Sequence, residues 1–372
     1  MKKLVTVARF YAFPLALCLT IVACQQGSHI SNRPSRGDGS PTIQLVSQID
    51  IKEPDSLLLA TPRFLAFSDD GDFWIADGYY ERVVRYNRKG LPESVLGRKG
   101  SGPGEFRSVG LILPLANGRV AIADNALRRL SFFDQTSDNL ISAMLYNGII
   151  YHGQADGSGI WLGDLNMERR TGVARADGRD TSLTYLVPVP VEYELGGPLA
   201  GIYDGVSIAA WADTLLVAFA ASNRILVLDT LGHLRDSLDL PKRLRRGVPS
   251  NVQELFGPEH QLSQPDMFAA LSEFYALHRL PDGRILAAHR DGNIKDGLVT
   301  TMLYVSILTS DLLTACVDAL IPLSGDSPVV AAFKGDTVFV LDQAMDSTSR
   351  LTATLRGFVV NDTDCEWQTT RR

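Results

Sequence analysis

Asp70-Gly71-Asp72-Phe73-Trp74-Ile75-Ala76-Asp77 and Asn117-Gly118-Arg119-Val120-Ala121-Ile122-Ala123-Asp124 carry one pattern twice. A Gly turn is followed by an apolar run of strand length that ends on Asp. Such a run, bounded by turn residues, reads as a buried strand. The pattern returns four more times. Asp156-Gly157-Ser158-Gly159 precedes Ile160-Trp161-Leu162-Gly163-Asp164, and Ala212-Asp213-Thr214 precedes the run 215–219. Asp282-Gly283-Arg284 precedes the run 285–289, and Lys334-Gly335-Asp336-Thr337 precedes the run 338–342. A further strand follows each run, at 83–86, 130–133, 172–175, 225–228, 303–306 and 351–354, and a third often comes next. A strand also precedes the turn, as at 63–67, 110–113 and 276–280. The unit is a four-stranded antiparallel meander of about 40–55 residues, and such a period over six units predicts a six-bladed β-propeller. A single sandwich does not accommodate that many strands.

Composition agrees. Of 42 acidic residues 31 are Asp and 11 are Glu, and Gly numbers 32. Asp and Gly serve turns and caps whereas Glu favours helices, so few helices are expected. The chain is 45% hydrophobic and 21% charged, which argues against disorder or a coiled coil. A net charge of −6 argues against a nucleic-acid partner.

Residues 1–23 read as a signal peptide: Lys2, Lys3 and Arg9, then an apolar stretch too short for a comfortable membrane span. Its end, Ile21-Val22-Ala23-Cys24, resembles the bacterial lipobox, which implies a lipid on the Cys24 thiol and cleavage before it. Residues 24–42, rich in Gly, Ser, Asn, Arg and Pro, read as a flexible tether. The mature chain would then carry about −9, because three positive charges leave with the leader. Gln25 replaces the Asp that retains lipoproteins at the inner membrane, so the expected place is the outer membrane, facing the periplasm or the cell surface. With Cys24 acylated, Cys316 and Cys365 are left as a pair in an oxidising compartment, where a disulfide is expected.

Leu96-Gly97-Arg98-Lys99-Gly100-Ser101-Gly102-Pro103-Gly104-Glu105-Phe106 lies between the first two units. It resembles the G-x-G-x-G-P-G-E-F connector of NHL-type repeats. With the W-I-A-D and A-I-A-D strands, the chain resembles bacterial six-bladed β-propeller lipoproteins of the NHL-like class. The likeness is clearest in the first two blades. Physically, the glycines and Pro103 let the loop turn sharply, and Glu105 is placed to cap backbone amides.

The propeller is expected over 43–365, with strand 43–51 closing the last blade and 366–372 a tail. Asp77, Asp124, Asp164 and Asp342, with His289 in the fifth unit, end equivalent strands. Capping of the following turn is the expected role; a divalent metal ring on the axis, as in six-bladed lactonases and amidating lyases, is the rival. His152, His260 and His278 show no metal spacing. The longest step between turns holds one insertion, 242–274, between blades 4 and 5. Its basic start, Lys242-Arg243-Leu244-Arg245-Arg246, reads first as a solvated face; the rival is that Arg243, Arg245 and Arg246 contact an anionic ligand or partner or a membrane surface. Met267, Leu271 and Phe274 fall at helical spacing after Pro265, which predicts a short amphipathic helix over the central funnel.

No nucleophile elbow, HExxH, P-loop or dinucleotide fingerprint is present, so no catalytic residue or cofactor is assigned. The expected function is a lipid-anchored extracytoplasmic module that binds or scaffolds an envelope protein or a small ligand. The alternative is a metal-dependent hydrolase or lyase of the lactonase-like or amidating-lyase-like class.

Overall fold

The computed structural model describes residues 41–54, 57–156, 159–177, 182–194, 198–256, 263–295, 298–323, 329–345 and 351–371. The leader, Cys24 and most of the tether lie outside the described residues.

Six antiparallel sheets stand round one axis. Strand β1 (Thr42–Asp50) is set aside for the last of them. Blade 1 is β2 (Pro62–Phe67), β3 (Phe73–Asp77), β4 (Arg82–Tyr86) and β5 (Pro92–Leu96). Blade 2 is β6 (Val109–Leu115), β7 (Arg119–Asp124), β8 (Arg129–Asp134) and β9 (Leu140–Leu145). Blade 3 is β10 (Ile149–Asp156), β11 (Gly159–Asn166), β12 (Thr171–Asp177) and β13 (Leu183–Pro188). The short helices α1 (Val191–Glu194) and α2 (Pro198–Ile202) then lead into blade 4, which is β14 (Val206–Trp211), β15 (Thr214–Phe219), β16 (Arg224–Asp229) and β17 (Leu234–Asp239). Helices α3 (Val252–Leu255) and α4 (Gln264–Phe268) precede blade 5: β18 (Ser272–Arg279), β19 (Ile285–Lys295), β20 (Leu298–Leu308) and β21 (Thr314–Ile321). Blade 6 is β22 (Ala331–Lys334), β23 (Thr337–Met345) and β24 (Leu351–Asn361). Its outer strand is β1, with Thr42 opposite Asn361 and Asp50 opposite Thr354. That pairing closes the ring and removes an open edge.

Burial explains why the middle strands read so clearly. Every residue of β3 and β11 is buried, because neighbouring blades cover both faces of a blade's centre. The outer strands β5 and β9 alternate instead, one face packed and the other wet. In the connector, Phe106 is fully buried against Phe133 between blades 1 and 2. Gly97 has φ +72°, and a Cβ there would fall 2.2 Å from the Phe106 ring. Glu105 accepts the Gly102 amide at 2.8 Å.

The insertion departs from expectation. Helix α4 stops at Phe268, and Phe274 lies in the inner strand β18, opposite His289 and buried. The run 272–276 alternates buried and half-buried residues, and the Phe274 amide bonds the Ala220 carbonyl at 2.9 Å. Strand pairing thus overrides the helical spacing. Met267 and Leu271 do pack together, against the blade 4 core.

Cys316 and Cys365 form a disulfide. The residues after it are not a loose tail. Strand β25 (Gln368–Thr369) adds a fifth strand to blade 5 beside β21. Arg371 then exchanges backbone hydrogen bonds with Asp239 at the end of blade 4.

Candidate functional site

The inner strands β2, β6, β10, β14, β18 and β22 surround a cavity of about 750 Å3. Its polar groups gather where the inner strands begin: Arg63, Tyr151, His152, Asp204 and Glu273, with Arg290 reaching in from β19.

Tyr151 crosses the space. Its ring stacks on Phe64 of blade 1, centroids 5.8 Å apart, and its hydroxyl lies 3.5 Å from Asp204 Oδ2. Burial, with Asp204 nearby, pushes the phenol up to about 12. Burial, with Glu273 adding its charge, pushes the Asp204 carboxyl up to about 6. Glu273 pairs through Oε2 with Arg290, whose Nε donates at 2.9 Å. That guanidinium sits over the Tyr275 ring, 5.7 Å from its centroid. The Tyr275 hydroxyl accepts the Ala331 amide at 3.1 Å and donates to the Ala331 carbonyl at 3.3 Å. His152 meets Tyr275 edge-on, and burial, then Arg290, lowers it to about 4. Arg63 is exposed on blade 1 and has no ion-pair partner within 4 Å among the described residues. The result is a funnel lined by aromatic rings, with two carboxylates on one side and an exposed cation opposite.

The strand-ending carboxylates do not face this funnel. Asp77 accepts the amides of Ala60, Thr61 and Tyr79. Asp124 accepts those of Arg107, Ala126 and Leu127. Asp342 pairs with Arg356. Asp164 is fully buried, and both its oxygens lack a hydrogen-bond partner among the described residues. Burial pushes it up to about 7. His289 is buried against Phe274 and held far below its ordinary value by burial, then by Arg245. Among the described residues no group of three or more His, Cys, Asp or Glu side chains is placed to hold a metal ion.

The basic run turns inward, which corrects the expected anionic partner contact at Arg245. Its guanidinium is buried and ion-paired with Asp318 of β21, and Arg245 Nη2 donates to the Leu240 carbonyl at 2.9 Å. The amides of Leu244 and Arg245 also point at Asp318, at 2.8 and 3.3 Å, and the Arg246 amide donates to Asp291 at 2.9 Å. An unpaired buried guanidinium would be costly, so the chain supplies its own anions. Arg243 and Arg246 remain exposed. None of the described residues of 242–271 lines the funnel; Ile202 and Asp204, from the connection between blades 3 and 4, do.

The sequence matches no family model and no curated protein. Solved structures do resemble the fold. A member of the DUF4221 family from Bacteroides vulgatus superposes with a TM-score of 0.61 at 12% identity, covering 87% of this chain and 99% of that one. A Bacteroides fragilis protein, named as a candidate exported protein, gives 0.57 at 11% identity, covering 86% and 95%. At such identities the likeness is one of fold.

Arg63, Tyr151, Asp204, Glu273 and Tyr275 escape a reading by repeats, because inner-strand beginnings carry no turn motif, and Arg290 lies beyond the apolar run of β19. The usable signal is an aromatic beside a titratable group where apolar residues are due, as in Tyr151-His152 and Glu273-Phe274-Tyr275.

Proposed function

We propose that this chain is a lipid-anchored, extracytoplasmic propeller of the NHL-like class that binds a small ligand in its axial funnel. The observation that carries the reading is the convergence of perturbed, partly unpaired polar groups in a concave site of ligand size. The lipobox-like Ile21-Val22-Ala23-Cys24 supports the anchor, and the Cys316–Cys365 disulfide supports an oxidising compartment. The Bacteroides fragilis neighbour, named as a candidate exported protein, fits the same location.

Ser108 lines the mouth from the blade 1–blade 2 connection and is only partly buried, so Ser108→Trp should plug it without disturbing the core. Protein purified from its native envelope, denatured and analysed by mass spectrometry, should release a small molecule that the Ser108→Trp protein does not. Identical release from both, or none from either, would refute the funnel as a binding site. For the anchor, Cys24→Ser should abolish labelling by a fatty-acid analogue; an unlabelled but processed wild type refutes it.

A further inference from the structure

The two carboxylates in the funnel are under-neutralised. Both contacts of Arg290 use Oε2 of Glu273. Oε1 turns toward Gly205, 3.8 Å from where a Cβ there would sit, and Asp204 is the residue before that glycine. Asp204 and Glu273 therefore share one notch between blades 4 and 5. The groups facing Asp204 are Tyr151 from β10, Glu273 from β18 and, most weakly, Arg128 from the β7–β8 turn. Tyr151 walls the notch, its hydroxyl 3.5 Å from Asp204, and its aromatic ring suits a cation, whereas the Tyr275 ring already carries the Arg290 guanidinium. Among the described residues no third acidic or imidazole side chain joins them to hold a metal ion. An organic cation fits the donors and walls better. Across the axis, on blade 1, the exposed Arg63 makes no ion pair within 4 Å among the described residues, the charge of Glu81 in the β3–β4 turn being within electrostatic reach. Blades 1 and 4 face each other in a ring of six, so this exposed cation and the acidic notch lie on opposing walls of one cavity of about 750 Å3.

We propose that the funnel takes a small amphoteric ligand, an amino acid or short peptide, with its ammonium group in the Asp204–Glu273 notch and its carboxylate on Arg63. This rests on the funnel being a binding site. It also has a pH signature. Asp204 must ionise to hold an ammonium group, so affinity falls as pH drops through about 6. His152 stays neutral to about 4 and Tyr151 protonated to about 12, so neither titrates in that window.

The test is calorimetric titration of the full-length protein with trialanine, N-acetyl-trialanine and trialanine amide. At pH 7 trialanine should bind, and acetylation or amidation should each weaken it about tenfold or more. Asp204→Asn should match the loss from acetylation and flatten the pH dependence between 5 and 7. Arg63→Gln should weaken trialanine but leave the amide unchanged. Equal binding of all three peptides overturns the proposal, and so does calcium binding that depends on Asp204. If succinate or maltose binds instead and Ser108→Trp abolishes it, the ligand class is wrong and the funnel still binds. If no probe binds and native release is the same with and without Ser108→Trp, both the proposal and the reading beneath it fall.

Discussion

Asp124 in blade 2 and Asp164 in blade 3 hold equivalent places in the second strand of the repeat, yet they live differently. Asp124 receives three backbone amides, one from the incoming connection and two from its own turn. Asp164 receives none among the described residues; a Cβ on the neighbouring Gly148 would fall 1.5 Å from its Oδ1. The contrast runs through the molecule. In blades 1 and 2 Asp77 and Asp124 are satisfied locally, by amides a turn or a connector away. Blades 4 and 5 are tied by distant partners: Arg245 to Asp318, Arg371 to Asp239, Cys365 to Cys316. A repeat fixes its local caps once, whereas long-range ties must be placed one by one.

The sharpest way to break this contrast is Asp318→Ala. Stranding the buried Arg245 should cost about 3–5 kcal/mol in denaturant unfolding, far more than removing any cap in blades 1 and 2. A loss under about 1 kcal/mol would mean the pair is solvated. Reducing the disulfide should come next. A bridge with a sequence separation of 49 contributes about 4 kcal/mol in the chain-entropy model, and hydrogen exchange should rise first at 368–371.

The two aspartates should then respond with opposite signs. Asp124→Asn removes charge-assisted hydrogen bonds and should cost about 1–2 kcal/mol. Asp164→Asn should stabilise the protein by about 1–3 kcal/mol at pH 8, given a shift of this direction and size. A raised carboxyl pKa favours the fold while the group is protonated. Wild-type stability is therefore lost as pH rises from about 4 through about 7, and the Asp164→Asn profile should be flatter there. Equal thermal midpoints for Asp164→Asn and wild type at pH 8 would erase the contrast. The smallest effect belongs to Arg243→Ala, which should stay within about 0.5 kcal/mol because that side chain is exposed.

The blades were legible because middle strands covered on both faces leave unbroken apolar runs, as in Phe73-Trp74-Ile75-Ala76. Closure was legible from a spare alternating strand at 43–51, which β1 matches. The funnel was not, because a ring fold assembles it from six positions that share an axis but no motif. Arg245 misled for a related reason: a charge run shows sign but not direction, and the anion it serves lies 73 residues away. The spacing of Met267, Leu271 and Phe274 suggested a helix that strand pairing cuts short.

The closure of blade 6 also has a consequence in time. A chain emerges from its N-terminus, so β1 appears first while its partner β24 is among the last strands made. Until then β1 presents an unpaired edge bearing Leu45 and Val46, which stay exposed even in the finished ring. Blade 5 also waits for its fifth strand, since Gln368 and Thr369 are made only after all of blade 6. The propeller therefore cannot complete itself blade by blade. Throughout synthesis the first strand must be kept from pairing with the wrong neighbour, and removing residues 368–371 should leave blades 4 and 5 unlatched.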